Sequence, residues 1–225
     1  MVRVYVTDLT GWLERGLPAE AAAILSAERR EKWERQRGST GALQSAAAEL
    51  LLRCALKEQG IRTPAAWTWE HEAGGRPSLQ GLVGVCFNLS HSGHYAVCAL
   101  AEGPAGVDVQ MVTDRERAGV VRRFCREEMT EVEESEKPEE AFCRLWTAKE
   151  AYLKMRGTGL RRPLNSFLVT PEGRVEDPPG TESGCFVTWL PVWPERRDAA
   201  LAVCACERCG EAVVFREKEE LLKSL

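Results

Sequence analysis

The stretch 95-YAVCAL-100 returns about a hundred residues later as the nearly identical string 201-LAVCAC-206. Short apolar runs of this kind are typical of buried strands. Each run follows a segment that begins with a long helical pattern, and each closes a half of about a hundred residues. The repeat covers only six columns, so chance similarity remains an alternative explanation. It predicts an α+β fold of two pseudo-symmetric halves, each a small antiparallel sheet packed with a long helix.

The boundary between the halves is expected near residues 101–105, which divides the chain into 1–103 and 104–225. Apolar or alternating runs predict strands, and apolar residues at helical spacing predict helices. The predicted strands are 1–12, 67–79 with its Gly-Gly turn, 82–90, 95–101, 106–112, 184–190, 200–206 and 212–217. The predicted helices are 18–36, 42–60 and 141–157, the last preceded by an acidic helical region at 126–140.

Composition limits the possible function classes. The chain has 225 residues, 44% apolar and 28% charged, as in soluble globular proteins. A net charge of −4 gives no global field for binding nucleic acid, and no apolar run approaches the ~18 residues of a membrane span. The nine cysteines are odd in number, and most lie in apolar runs, where free cysteine behaves as a small hydrophobe. These features, without a signal-peptide pattern, predict a reduced cytoplasmic protein.

Two lysines and a glutamate lie within six residues of the segment 146-WTAKEAYLKMRGTGL-160. Glu150 and Lys154 have the four-residue spacing of a helix ion pair, which is the ordinary interpretation. Large apolar neighbours place these charges at the edge of buried surface, and the glycines that end the helix allow backbone to approach a partner closely. The segment is therefore either a solvated helix face or one wall of a site that handles phosphate.

Asp108 lies in the alternating run 106-GVDVQMV-112, where it shares one strand face with Gln110. A carboxylate among apolar neighbours needs a partner. Asp108 and Glu150 together make a minimal magnesium site, because this cation is typically held by one or two carboxylates plus substrate phosphates. Pairing of Asp108 with Lys149 or Lys154 is an equally weighted alternative.

Other motifs favour structural roles. Cys206-x-x-Cys209 lacks a second ligand pair at zinc spacing. The eight glutamates within 127–140 are typical of a solvated helix face, and they lack the alternation of a calcium loop. No dinucleotide-binding, Walker or nucleophile-elbow motif is present. Ser90 and His91 are adjacent on an extended turn, where side chains point apart, so they are poorly placed as a nucleophile and its base.

Four motifs, 75-GRPSL-79, 87-FNLSHSG-93, 106-GVDVQ-110 and 146-WTAKEAYLKMRGTGL-160, occur in one order along the chain. In that order and spacing the chain resembles the 4′-phosphopantetheinyl transferases of the surfactin-synthetase-activating type. The resemblance covers nearly the whole chain. It implies an enzyme that transfers the phosphopantetheine arm of coenzyme A to a serine of an acyl, peptidyl or aryl carrier protein, releasing adenosine 3′,5′-bisphosphate.

The resemblance also implies roles for residues. Asp108 and Glu150 would hold Mg²⁺, and Glu150 would accept the serine proton. Lys154 would neutralise charge on the leaving phosphate. His91 would act beside them in the catalytic group, in a C-terminal half that carries the metal site and an N-terminal half that contacts the nucleotide. The coenzyme A contacts would be Arg29, Lys32, Ser45, Arg76, Ser90, His91, Lys149 and Lys154.

Two positions depart from the family pattern. Gln110 replaces the usual third acidic residue, which removes one negative charge and predicts weaker metal binding. Its amide oxygen can still ligate magnesium or order its water, so the resemblance keeps Gln110 among the metal residues. Gln44 stands where a basic residue is more frequent. One rival interpretation is a coenzyme A-binding protein that has lost turnover, and another is a different magnesium-dependent phosphotransferase. The preferred prediction is a cytoplasmic monomer with no nucleic-acid or membrane partner.

Overall fold

The computed structural model describes residues 1–63, 67–71, 75–113, 117–210 and 213–224. Two sheets contain most of the strands in these ranges, and a third sheet pairs two short ones. The strands are β1 (Val2–Asp8), β2 (Trp69–His71), β3 (Pro77–Leu79), β4 (Cys86–Ser92), β5 (Tyr95–Ala101), β6 (Ala105–Met111), β7 (Leu168–Val169), β8 (Arg174–Glu176), β9 (Glu182–Leu190), β10 (Ala199–Ala205) and β11 (Val213–Arg216).

Two of the helices are long, with 19 residues each, and the others are short. The helices are α1 (Thr10–Arg15), α2 (Ala19–Ile24), α3 (Ala27–Arg35), α4 (Thr40–Glu58), α5 (Arg117–Val121), α6 (Arg126–Glu134), α7 (Pro138–Arg156) and α8 (Lys218–Ser224). Helix α7 begins with proline in its first turn, where the missing N–H costs nothing. It ends at Gly157, whose φ of 68° is the left-handed conformation that favours glycine. None of the helices in the described ranges combines the length and apolarity needed to cross a membrane.

The two main sheets repeat one topology. The first has the order β11-β1-β5-β4 and the second the order β6-β10-β9-β8-β7. In each, the repeated apolar run forms the middle strand of an antiparallel trio: β5 lies between β1 and β4, and β10 lies between β6 and β9. Helix α4 packs on β5, and α7 packs on β6 and β10. The predicted α+β fold of two similar halves is confirmed.

The halves stack as helix, sheet, sheet, helix. Apolar side chains from β1, β5, β6 and β10 form a shared core where the sheets face each other, among them Val4, Val97, Val107, Leu201 and Val203. The opposite faces of the sheets pack against α4 in one half and against α7 in the other. Because successive strand residues point to opposite faces, Asp108 points away from the shared core while Val107 and Val109 enter it.

The last strand, β11, belongs to the first sheet although it follows the strands of the second half in sequence. After β10 the chain returns to the first sheet, where β11 pairs in parallel with β1 and α8 packs on α4. The division of the chain at residue 103 stays a prediction, and the far C-terminus adds a strand to the sheet of the other half. Ala212, with which the last predicted strand began, lies outside the described residues.

Several predicted elements differ in extent. The helix predicted at 18–36 is broken at Leu25 and Ser26, which have extended backbone, because Ser26 donates both its N–H and its hydroxyl to the buried carboxylate of Glu49 at 2.7 and 2.6 Å. The acidic region 126–140 is also divided, between α6 and the start of α7. The strand predicted at 82–90 begins only at Cys86. In 67–79 the turn residues 72–74 lie outside the described residues, between β2 and β3.

Candidate active site

A cleft of about 450 Å³ lies where the two halves meet. It is lined by nine of the eleven residues predicted for the site: Arg29, Lys32, Ser45, Ser90, His91, Asp108, Gln110, Glu150 and Lys154. A larger cavity of about 720 Å³ lies among α1, α2, α3 and the start of α4, away from all of them. We locate the site in the smaller cleft because the paired carboxylates and the basic side chains converge there.

Close packing of α7 on β6 brings the acidic residues together. A side chain at Gly106 would place its Cβ 2.0 Å from the carbonyl oxygen of Ala151 and 2.5 Å from the nitrogen of Met155. Only glycine allows the helix to lie this close to the strand. Glu150 and Lys154 are thereby held beside Asp108, two residues further along β6.

Lys154 pairs with Asp108 across the helix–strand contact. Its Nζ donates to Asp108 Oδ1 at 2.6 Å and to the carbonyl oxygen of Val107 at 3.1 Å. The hydroxyl of Ser90 donates to the same Asp108 oxygen at 2.7 Å. In the protein alone, Asp108 therefore pairs with Lys154, one of the alternatives considered from the sequence. The carboxylate of Asp108 on β6 thus joins Lys154 of α7 and Ser90 of β4.

Glu150 is the acidic residue left without a full set of partners. Its Oε1 is buried and has no hydrogen-bond partner. Burial and, to a smaller extent, the charge of Asp108 raise the pKa of Glu150 to about 7, although Lys154 acts in the opposite direction. A buried, unpartnered carboxylate oxygen next to a second carboxylate suits a hard cation. No group of three or more histidine, cysteine or acidic residues that could hold a metal occurs among the described residues.

A line of side-chain hydrogen bonds joins the two sheets at the cleft. Alternate polar side chains of β4 bond to alternate backbone N–H groups of β6. The Val107 N–H donates to Asn88 Oδ1 at 2.9 Å, the Val109 N–H to Ser90 Oγ at 3.4 Å and the Met111 N–H to Ser92 Oγ at 3.0 Å. The polar residues of 87-FNLSHSG-93 thus fix the edge of one half against the strand that carries Asp108.

A basic wall faces the carboxylates from α3. Ser45 accepts a hydrogen bond from Arg29 at 2.8 Å and from Lys32 Nζ at 3.3 Å. Burial lowers the pKa of Lys32, and the neighbouring Arg29 lowers it further. The Nε of Arg29 is buried without a hydrogen-bond partner, although Glu49 lies 4.0 Å away. Arg29 and Lys32 are therefore neighbouring cations with one unused N–H donor, and a bound anion would stabilise both.

His91 projects from β4 between the basic wall and Lys154. Part of the side chain is exposed, yet the atoms around its ring lower its pKa by desolvation, and the charges of Lys154 and Lys32 lower it further. The imidazole is therefore neutral near pH 7 and can donate one hydrogen bond. Gln44, one of the two departures from the family pattern, donates to the Gly93 carbonyl at 2.7 Å and so braces the β4–β5 turn.

Two of the predicted residues lie outside the cleft. Lys149 is fully buried on another face of α7, where Nζ lies 2.7 Å from Glu128 and donates to the carbonyls of Leu164 and Phe167, each at 2.9 Å. The prediction of a solvated face for the acidic run is wrong for Glu128, which is 2% exposed. Arg76 lines a neighbouring cavity of about 160 Å³.

Glu128 is a structural residue that sequence reasoning could not identify. One of its oxygens accepts from the Val169 N–H at 2.9 Å and the other from the Cys125 N–H at 3.0 Å. Together with Lys149 it ties α6, α7 and the loop before β7 into one unit. No periodicity signals this pairing, since the glutamate stands among seven others in a polar run.

Comparisons with known proteins identify the family of the chain. A family model described as the 4′-phosphopantetheinyl transferase superfamily matches residues 104–204. The 4′-phosphopantetheinyl transferase ffp of Bacillus subtilis is 31% identical over 188 residues, covering 81% of this chain and 83% of that protein. A second Bacillus subtilis 4′-phosphopantetheinyl transferase is 29% identical over 98% of this chain and 100% of its own length. The transferase Sfp of strain 168 is 29% identical over 89% of this chain and 91% of its own.

The family model covers only part of the second half, whereas the matches to the Bacillus subtilis proteins extend over both halves. An identity of 31% across more than four-fifths of each chain is the match that decides the assignment. The chain belongs to the 4′-phosphopantetheinyl transferase family of enzymes.

Proposed function

We propose that the protein transfers the 4′-phosphopantetheine arm of coenzyme A to a serine hydroxyl of an apo carrier protein, in a reaction that requires Mg²⁺ and releases adenosine 3′,5′-bisphosphate. The observation that carries the proposal is the pair Asp108 and Glu150, with one unpartnered buried oxygen, facing a basic wall across one cleft. A pyrophosphate with a bound metal cation suits this cleft, because the carboxylates on one side would hold the cation and the basic side chains on the other would contact the phosphate oxygens.

The two carboxylates are the residues that would hold Mg²⁺. The orphan oxygen of Glu150 and the second oxygen of Asp108 supply hard ligands, while Gln110 lines the same cleft with a neutral amide. When bound, the cation polarises and neutralises the pyrophosphate oxygens of coenzyme A. Because Gln110 carries no charge, metal affinity in the absence of coenzyme A should be modest.

The basic residues of the cleft position the anionic donor. Arg29 and Lys32, joined through Ser45, suit the terminal 3′-phosphate of coenzyme A. His91 and Ser90 lie between this wall and the carboxylates, where hydrogen-bond donors can contact the pyrophosphate. Arg76, in the adjoining cavity, suits the nucleotide. Lys149 is left out of the contacts, since it is buried beside Glu128.

The reaction itself exchanges one phosphorus–oxygen bond for another. The carrier serine oxygen attacks the phosphorus attached to pantetheine, and the bond from that phosphorus to the bridging oxygen breaks. Glu150 accepts the serine proton, a role that suits a carboxylate whose pKa is about 7 in the protein alone. Lys154, within reach of Asp108, neutralises charge that develops on the leaving bisphosphate.

We further propose that the protein acts as a monomer in the cytoplasm. The carrier is an acyl, peptidyl or aryl carrier protein, whose modified serine must enter the cleft beside Glu150. The exposed pair Arg122 and Arg123 is a candidate contact for an acidic carrier surface. Arg162 is a weaker candidate, because it is already paired with Asp177.

Mass spectrometry of an apo carrier protein tests the proposal. The carrier is incubated with the protein, coenzyme A and Mg²⁺, with an EDTA control and with Glu150→Gln and Glu133→Gln as matched variants. We expect a Mg²⁺-dependent gain of one phosphopantetheine with the wild type and Glu133→Gln, and none with Glu150→Gln. No gain with any carrier class, despite measurable coenzyme A binding, would instead support a binding protein without turnover.

A further inference from the structure

Two cysteines face each other at the open end of the second sheet. In the antiparallel pairing of β9 with β10, Ala205 lies opposite Phe186. The next opposed pair along this register is Cys206 and Cys185. Cys206 is also close enough to Cys185 to raise the pKa of its thiol. The cysteines therefore meet across the strands, and Cys206 is aligned with Cys185 rather than with Cys209, its neighbour in the C-x-x-C motif.

The spacing of opposed residues suits a disulfide. Directly opposed residues of antiparallel strands have Cα atoms about 4.5–5.5 Å apart and side chains on the same face. Disulfides require Cα atoms about 4.4–6.8 Å apart. The separation expected for the opposed positions Cys185 and Cys206 therefore falls within the range that a disulfide requires.

The two thiols differ in access. Cys206 is exposed, whereas Cys185 and Cys204 are buried. Burial raises the pKa of Cys185, while the positive charge of Arg156 at the end of α7 acts in the opposite direction. A soluble oxidant thus reaches Cys206 first, and the second thiol lies opposite it along the register of the two strands. An accessible thiol beside a resolving thiol is the arrangement of redox-active pairs.

We propose that Cys185 and Cys206 form a reversible redox site that closes to a disulfide on reaction with a low-molecular-weight disulfide. The Cys206 thiolate attacks one sulfur of that reagent and releases one thiolate from it. The Cys185 thiolate then attacks Cys206 Sγ in the mixed disulfide, and the second reagent thiol leaves. Two electrons pass to the reagent, and the two protons of the cysteines end on the released thiols.

The site lies close to the catalytic helix without entering the cleft. Cys185 packs in the core that α7 shares with the second sheet. Neither cysteine lines the cleft that holds Glu150 and Lys154. The closed form would cross-link β9 to β10 beneath the last turn of α7. It would increase stability while leaving the transfer chemistry in place.

Peptide mapping after oxidation with glutathione disulfide tests the proposal. The full-length wild type is compared with Cys206→Ser and with Cys209→Ser, the matched control on the same turn. We expect a Cys185–Cys206 linked peptide in the wild type and in Cys209→Ser, with dithiothreitol restoring both thiols. The oxidised wild type should melt several degrees higher than the reduced protein, and Cys206→Ser should lose that shift.

Three results would overturn the proposal. They are a linkage between Cys206 and Cys209, a stable mixed disulfide on Cys206 that never resolves, or no reaction at Cys206 under conditions that oxidise a free peptide thiol. None of these results bears on transferase activity. Cys206→Ser should retain full carrier modification, so a failure of the redox site and a failure of the proposed transferase function are distinguishable.

Discussion

Replacing Glu150 with glutamine should make the folded protein more stable while abolishing transfer. The substitution keeps size and shape but removes a buried charge that lacks a full set of partners. The pKa of Glu150 is raised from its ordinary value of 4.5 to about 7 by burial and by Asp108. At about 1.4 kcal/mol for each pKa unit, and with some screening at the cleft mouth, ionised Glu150 costs the native state on the order of 2–3 kcal/mol.

The stability difference between the wild type and the glutamine variant depends on pH, because the pKa of Glu150 is higher in the folded protein than in the unfolded chain. The folded protein keeps the Glu150 proton to higher pH than the unfolded chain does. Compared with a chain that lacks this carboxyl group, the free energy of unfolding of the wild type therefore falls as pH rises from about 4.5 to 7. Above pH 7 this fall in stability is complete. The glutamine variant lacks this decline. Its advantage should be near zero at pH 4.5 and reach ~2–3 kcal/mol at pH 8.

Urea unfolding at several pH values without divalent cations measures the difference. Glu133→Gln, at an exposed position on α6, controls for removing a glutamate as such. Added Mg²⁺ should reduce the advantage, since a bound cation supplies the partner that Glu150 lacks. A stability difference that is the same at all pH values, or a variant less stable than the wild type at pH 8, would refute this account of Glu150.

Four further changes are expected to have measurable effects. Lys154→Ala should lower the rate of carrier modification more than it weakens coenzyme A binding; a loss of affinity alone would restrict Lys154 to binding. Gln110→Glu should tighten Mg²⁺ binding, which calorimetry measures, and an unchanged titration would mean that position 110 does not face the metal. Lys149→Met should destabilise by about 3–5 kcal/mol because Glu128 is left charged and buried, and Glu128→Gln in the same chain should recover most of the loss in urea unfolding. Gly106→Ala should cost at least ~1–3 kcal/mol, because its Cβ would meet the α7 backbone, whereas Gly103→Ala, with open space around it, should be nearly neutral; equal melting temperatures would contradict the packing described.

The fold was predictable where burial alone decides structure. The runs YAVCAL and LAVCAC are apolar on both faces, because each lies in the middle of a sheet covered by a helix on one side and by the other sheet on the other. The end of α7 was also readable, since Gly157 adopts the left-handed conformation expected after a helix.

The elements that were misjudged depend on distant polar partners. Ser26 interrupts the first predicted helix because a carboxylate 23 positions away accepts its hydrogen bonds. Glu128 looked solvated because nothing local marks its pairing with Lys149. Periodicity reports which face is apolar and gives no information about such pairs.

The residues of the candidate site were also only partly predictable from the sequence. The resemblance identified nine residues that the structure brings to one cleft, and six of them lie within the four ordered motifs. The same motifs did not separate residues that contact a ligand from residues that hold the cleft together. Asn88 and Ser92 join β4 to β6, and Lys149 anchors α7, yet each stands beside a residue of the cleft in the sequence. Adjacent residues on a strand or helix point in different directions, so neighbours within a motif serve different purposes.

The most direct test of the central claim is the Mg²⁺ dependence of carrier modification by the wild type and by Asp108→Asn, followed by intact mass. The account predicts rapid modification by the wild type with Mg²⁺ and none with EDTA. It also predicts that Asp108→Asn needs far more Mg²⁺ and turns over slowly, with coenzyme A binding to the basic wall largely retained. Modification by Asp108→Asn at the wild-type rate and Mg²⁺ requirement would contradict the assignment of the two carboxylates as the catalytic metal site.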